Sequence, residues 1–474
     1  MAKSRTKTIL AIVTPAVFGS ACGAILGIED GILDPVDSGS DALAESGIDG
    51  GGTDARADAQ DEDAGPTCVP DASDSVDDMN GIFVAPAPYG TGAVNCGSRV
   101  VPCASLQMGV ERALTLTRSK VFIARGTYAE AIRLHAGTTL IGGWDPLDTT
   151  WLRSCKSPPH DVVVIQSPTN ITVLADELGG TAGLETVTVS SKAAADTGET
   201  LYGVFARGAT THLTLFDVIV SMSAGGNGGP GGGGAPGGAA ATTDCPSSTG
   251  AQGDAGATGR GADGGLFGDA GFVSTNGTTG QTGFTGEPGT GAMAPACTTC
   301  GACQGIVPVC SFKASGQSCG TDGGAGCGGG PGTGGTPGAG GGSSIALFAW
   351  DAIVTVTASR LAAGPGGLGG GGGLGGDGGV GSGGASGRIG PDCVITCDTL
   401  CGTAMAHGAA GSPGGSGGPG GPGGPGGGGA GGDSIAIVQA GAAVVTAPDA
   451  GLSFRAAGTS LGNGATGRAR ARFP

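Results

Sequence analysis

Glycine occupies every third position from Gly366 to Gly390 without a lapse, and does so again from Gly408 to Gly432. A flexible linker has no reason to keep phase. A chain bare at every third residue presents a backbone edge along one side, and that edge can approach other backbone closely. The same period recurs upstream, in five triplets from Gly225 and in seven from Gly323 to Gly341. Fourteen positions from Gly250 to Gly289 keep it except at Ala262 and Ser274. The runs 366–390 and 408–432 are of equal length around "CVITCDTLC", so they read as the two legs of a hairpin with a cysteine-bearing tip.

Period three is that of the polyproline II helix, which has no internal hydrogen bonds. Collagen and a side-by-side polyglycine-II bundle both use it. Many triplets here are Gly-Gly-Xaa, as in "GGPGGPGGPGG" (417–427). A second glycine gives a second bare edge, which a bundle uses and a collagen helix does not. Proline falls mostly third, at Pro230, Pro236, Pro331, Pro337, Pro419, Pro422 and Pro425, where φ is fixed and no bond need be donated. The reading is a bundle rather than a disordered loop. With 107 glycines in 474 residues, the chain cannot build one large apolar core.

Between the glycine runs the pattern changes to short β-branched strands, in "KVFIARGTY", "AIRLHAGTTLIGGW", "DVVVIQS", "NITVLAD" and "LETVTVSS". "LQMGVERALTL" has the apolar spacing of a helix, with Leu106, Val110, Ala113 and Leu114 on one face. Segments 201–226, 344–367 and 434–458 resemble one another, each with two strands around a turn. Such units suit stacked rungs, with the glycine runs as insertions leaving between them.

"IFVAP", the "ERAL" helix, "VFIARGTYAE" and "TLIGGW" together resemble the opening of secreted pectate-lyase-like right-handed parallel β-helix proteins, over residues 80 to 220. The resemblance implies a helix that caps the first rung and a structural turn at Arg125. The whole layout is also similar to bacterial glycine-rich surface proteins of the PGRS-like kind, a likeness of composition that implies no shared activity. The expected fold class is all-β: a short right-handed parallel β-helix with long glycine-rich, polyglycine-II or collagen-like insertions.

The front of the chain reads as an export signal. "MAKSRTKTILAIVTPAVFGSAC" has a basic head, an apolar stretch too short to span a bilayer, and small residues before Cys22. "GSAC" resembles the lipobox of bacterial lipoproteins, which implies lipidation of Cys22 and a membrane partner through the anchor. Cleavage without lipidation is the alternative. Residues 29–79 hold sixteen Asp and Glu against Arg56 alone, a balance of −15 out of a net −17. That run reads as a solvated tether, and acidity argues against nucleic acid as a partner. The organisation is then signal peptide 1–22, tether 23–79, cap and first rungs 80–223, glycine arm 224–343, rung 344–363, glycine arm 364–433, and last rung with basic tail 434–474.

An exported chain favours disulfides over free thiols. Setting Cys22 aside leaves fourteen cysteines. Cys68, Cys96, Cys103 and Cys155 lie in front, and Cys96–Cys103 with Cys68–Cys155 is the expected pairing. Cys245, Cys297, Cys300, Cys303, Cys310, Cys319 and Cys327 lie in the first arm, and Cys393, Cys397 and Cys401 in the second. Two odd groups call for a bridge between the arms. "CTTCGACQGIVPVC" resembles an iron–sulfur or zinc run, but lacks the bacterial ferredoxin spacing and closing proline, so disulfides are expected there too.

No cofactor or metal is expected. The histidines His135, His160, His212 and His407 are scattered. The candidate carboxylates Asp145, Asp161, Asp176, Glu177, Asp217 and Asp351 form no paired motif, so no catalytic residue is assigned. A polysaccharide lyase or hydrolase would need carboxylates converging with Arg or Lys on one face. The "GRARARFP" end reads as solvated. The expected role is a non-enzymatic cell-surface structural or adhesive protein, at the outer membrane or secreted, with extracellular glycan or a neighbouring cell as partner. The alternatives are an enzyme on the same scaffold, or a binder of ice or mineral surfaces.

Overall fold

The computed structural model describes residues 76–474, apart from 147–150, 152, 154–162, 241–242, 293–296, 305–310 and 397–402. Apart from the helix Leu106–Thr115, its regular elements are strands, and two large parallel sheets of eleven and six strands dominate. The pairings resolve into three ladders. The first holds Gly81–Val84, Lys120–Ala124, Thr139–Trp144, the leading halves of Gly180–Ser190 and Thr211–Ser221, Ile353–Thr357 and Val444–Thr446. The second holds Gly126–Tyr128, Val163–Gln166, the trailing halves of the same two long strands, Arg360–Ala362 and Gly451–Ser453. The third holds Ile132–Arg133, Ile171–Asp176, Leu201–Arg207, Ser344–Trp350, Ser434–Ala440 and Ala469–Phe473.

The chain visits these ladders in a repeating order, first, second, third. Alternation along each strand decides what faces inward. Leu213 and Leu215, Val354 and Val356, and Val445 are buried, while His212, Thr214, Ile353, Thr355, Val444 and Thr446 between them are exposed. The buried set joins Val204, Leu347 and Ile437 of the third ladder in one core. Each such side chain contributes about 1.5–3 kcal/mol on burial.

The helix closes one end. Ser105 caps it, its Oγ accepting from the Met108 N–H at 3.2 Å, and Leu106, Val110 and Ala113 are buried. Leu114, read as part of that face, is 54% exposed. Gly109 takes its place, pressed against Val84 where a Cβ would not fit. Packing also reaches slightly into the segment read as tether, because Val76 is buried with Phe83, Phe122, Trp144 and Trp151.

Both glycine insertions leave from the crossing between the second and third ladders. One departs after Ser221 and returns at Ser344; the other departs after Ala362 and returns at Ser434. Between them they lay down six straight legs, at 225–240, 250–262, 277–289, 323–342, 366–390 and 408–432. Successive legs run antiparallel. In the second insertion Gly411 N–H donates to Arg388 C=O, and every third residue repeats the bond down to Gly432 and Gly367. Legs of like direction also pair, as from Gly228 to Leu368 through Gly237 to Asp377.

The first insertion is not one outgoing and one returning leg. It makes four, and the lapses at Ala262 and Ser274 flank a turn. That turn carries a small hairpin, Leu266–Gly268 with Gly271–Val273. Its Phe267 and Phe272 pack over the outer apolar face of the third ladder, against Tyr202, Phe205, Ile345, Phe348, Ile435 and Val438. The Tyr202 hydroxyl accepts from the Phe272 N–H at 2.7 Å, and burial pushes that hydroxyl up to about 12.

Sequence chemistry follows leg position. Leg 408–432 is interior, and in the triplet Gly423-Gly424-Pro425 four groups are bonded. Gly423 donates to Gly376 and Gly424 to Gln281, while Gly424 and Pro425 carbonyls accept from Gly335 and Gly259. Ordering three residues costs about 1–2 kcal/mol each. One bonded group per triplet would not offset that; four, each bond shared with a neighbouring leg, amount to about two bonds of about 1 kcal/mol per triplet, and close packing adds the rest. In leg 366–390, Gly367, Gly370, Gly373, Gly376 and Gly379 face carbonyls of leg 225–240, which a Cβ would strike. Past Ala240 that neighbour ends, and the same column becomes Ser382, Ala385 and Arg388.

Candidate functional site

Parallel sheets are usually covered on both faces. The third ladder is covered by the hairpin. The first is open outward, where Phe216, Ile353 and Val444 stand exposed. Register sets His212, Ile353 and Val444 in one row and Thr214, Thr355 and Thr446 in the next.

Beside this face, at the corner between first and second ladders, runs an open groove of about 420 Å³ lined by Asp217, Ile219, Ala358, Ser359, Arg360, Asp449 and Gly451. The corner is built by stacked residues in left-handed conformation, Thr186 (φ 53°), Asp217 (φ 51°) and Ala358 (φ 49°). Ser359 is buried and fixes the bend, its Oγ accepting from Val218 N–H at 3.0 Å and donating to Thr357 C=O at 2.8 Å. The groove thus brings Asp217, Arg360 and Asp449 to one lining. Of these, only Asp217 was a sequence candidate. Arg360 and Asp449 come from later strands, and no local motif links residues that meet only through parallel pairing.

The other candidate carboxylates are dispersed. Asp176 accepts from Arg207 Nε at 2.8 Å and faces Arg133 at 3.4 Å, and the Arg207 bond holds its carboxyl below the usual range. Asp145 pairs with Arg125 at 3.4 Å, a contact that fits the turn reading of Arg125. Asp351 accepts from the Ala442 N–H at 2.6 Å, and Glu177 abuts Gly208. His407 meets Asp392 at 3.1 Å on the second arm. Asp161 and His160 lie outside the described residues. Among the described residues no group of three or more His, Cys, Asp or Glu is placed to hold a metal ion, and no helix is long and apolar enough to cross a membrane.

The basic end reads as solvated, and Arg470 and Arg472 are exposed, but Arg468 is drawn in. Ala469–Phe473 adds a parallel edge strand to the third ladder, beside Ser434–Ala440. Arg468 lies against the paired Phe267 and Phe473 rings, at 5.1 and 4.6 Å from their centroids, and donates to Asp433 at 2.6 Å and to Gly265 C=O at 2.7 Å. A second cleft of about 430 Å³ opens there, with Trp350 and Gln439 on its wall.

Among the cysteines, Cys96–Cys103 is formed as read, and Cys245–Cys327 closes within the first arm. Cys319 is oxidised as well. Cys22, Cys68, Cys155, Cys310, Cys397 and Cys401 lie outside the described residues, as do the side chains of Cys297, Cys300, Cys303 and Cys393. The Cys245–Cys327 bridge takes two of seven and leaves both arms odd. Strand Cys297–Gln304 of the first arm also lies against Cys393–Thr396 of the second. Non-reducing peptide mapping of the full chain is expected to recover at least one bridge between the arms; free thiols in both would contradict it.

No family model matches the sequence, and neither a curated protein nor a solved structure matches it.

Proposed function

We propose that the chain is an exported surface scaffold that holds extracellular glycan without cleaving it. In this reading the ladders form a right-handed parallel β-helix, the legs form a polyglycine-II bundle, and lipidated Cys22 tethers both through the acidic run. The observation that carries the structural role is the joining of two separate insertions, by backbone bonds, into one block beside the sheets. A chain that commits so much of its length to shape builds a rigid body rather than a closed pocket.

The glycan contact is assigned to the open face and its groove. Phe216 offers a ring for the apolar face of a sugar, with Thr214 and Thr355 beside it, and Asp217, Arg360 and Asp449 offer hydrogen bonds to hydroxyls. The two carboxylates on the same lining as Arg360 also favour a second reading, a polysaccharide-active enzyme.

One experiment separates them. The full chain is incubated with insoluble cell-envelope polysaccharides, and bound protein and released sugar ends are both measured. Binding without release, weakened about tenfold by Phe216→Ala (1.4 kcal/mol), is expected. Sugar ends released by the wild type but not by Asp217→Ala would replace this reading with the enzyme. No binding to any glycan would remove it.

A further inference from the structure

Among the described residues the glycine block leaves an edge unfinished beside leg 366–390, and the chain itself shows what fits there. Near the sheets, residues 456–467 fill a slot between legs 366–390 and 408–432. Gly366 and Gly369 donate to the carbonyls of Ala456 and Thr459 at 3.0 and 2.9 Å, and Leu461 N–H returns a bond to Gly369. On the other wall Gly431 donates to Ala465 C=O and Gly428 to Asn463 Oδ1. The filler has glycine where it meets the walls, because a Cβ on Gly458 would strike the Gly367 carbonyl and one on Gly464 the Gly429 carbonyl.

Beyond Leu461 the filler turns back and the slot continues empty-sided. The two walls stay bonded to each other at the same levels, Gly426 to Gly373 and Gly420 to Gly379. On one wall Gly372, Gly375, Gly378 and Gly381 continue the column of Gly366 and Gly369. They are half-buried, and neither their N–H nor their carbonyl groups have a partner among the described residues. On the other wall the column of Gly428 and Gly431 becomes Pro425, Pro422 and Pro419, residues with no N–H to leave unpaired. Leu374 and Val380, 77% and 66% exposed, stand at the rim. Gly371 just before them faces Leu461, which places this rim beside the filler.

We propose that this open length is a binding site for an extended polyproline-II peptide with glycine at every third residue. The assignment rests on continuity with the contact the chain already makes to its own residues 456–467, and is independent of glycan binding. The donor row matches carbonyls repeating every third residue. The wall gives close approach only to a bare α-carbon, and the proline floor with Leu374 and Val380, on either side of the exposed Asp377, suits proline rings. An unpaired edge of this kind is a template for another chain, as an edge strand is in a sheet.

The test titrates the full chain with a labelled peptide of five Gly-Ala-Pro triplets and with a scrambled peptide of the same composition. Saturable binding is expected for the first, with slowed amide exchange at Gly372, Gly375, Gly378 and Gly381. Leu374→Asp with Val380→Asp, both exposed, is expected to weaken it at least tenfold with the melting midpoint unchanged. Equal binding of the scrambled peptide, absence of saturation, unchanged exchange at those glycines, or full binding by the double variant would each overturn the proposal.

Discussion

Gly423→Ala is expected to destabilise the protein by at least about 3 kcal/mol, while Gly383→Ala stays within about 0.5 kcal/mol of the parent or slightly above it. Both residues lie in period-three runs, and composition does not distinguish them. At Gly423 an added Cβ lands on the Thr333 carbonyl, with Gly334 N at 2.9 Å, and both are backbone of a leg fixed by its own ladder. Nothing flexible is there to move aside. At Gly383 nothing lies within 4 Å, and its φ is not left-handed. Denaturant unfolding of the two variants against the parent measures the difference. Equal effects would mean that the legs are not packed in this register.

Arg468→Met is the second large effect, at about 3–5 kcal/mol. Asp433 is 1% accessible, and among the described residues its ion-pair partner is Arg468, with bonds at 3.0 and 2.6 Å. Methionine keeps much of the packing against Phe267 and Phe473 and leaves the carboxylate buried without its cation. Adding Asp433→Asn to that variant is expected to recover at least 1 kcal/mol, since the amide removes the stranded charge. A double variant no more stable than Arg468→Met would show that ring packing, rather than the ion pair, is what Arg468 contributes. The same residue joins the arm-borne hairpin, the return of the second insertion and the last strand. Loss of its side chain is therefore expected to loosen all three together.

Local periodicity made much of this visible beforehand. Phase alone predicted ordered legs. The Gly-Gly-Xaa triplets pointed to legs with a second bare edge for close neighbours, and leg 408–432 is bonded to four of them. Third-place proline at Pro419, Pro422 and Pro425 marks an edge without a donor to satisfy. The strands read from β-branched runs, and the likeness of 344–350 to 434–440, which share the opening Ser-Ile-Ala, became direct parallel pairing.

What was hidden depends on contacts between distant residues. The two phase lapses looked like noise, yet they frame the hairpin whose Phe267 and Phe272 cover an apolar sheet face. The arginine-rich end read as solvated, and Arg470 and Arg472 are exposed, but the segment pairs as an edge strand and Arg468 answers a carboxylate thirty-five residues away. The groove joins Asp217, Arg360 and Asp449 from three successive neighbours in the sheet, across insertions that separate them in sequence but not in register.

The glycine legs form an ordered, backbone-bonded block. Residue-resolved amide hydrogen exchange on the full chain tests it most directly. Gly417, Gly420, Gly423 and Gly426, which donate to Ser382, Gly379, Gly376 and Gly373, are expected to exchange at least a thousandfold slower than an unstructured chain. Gly372, Gly375 and Gly378, on the open edge of the adjoining leg, are expected to exchange rapidly. Fast exchange at all seven positions would mean that the glycine runs are solvated coil, and the account of this protein as a rigid scaffold would fail.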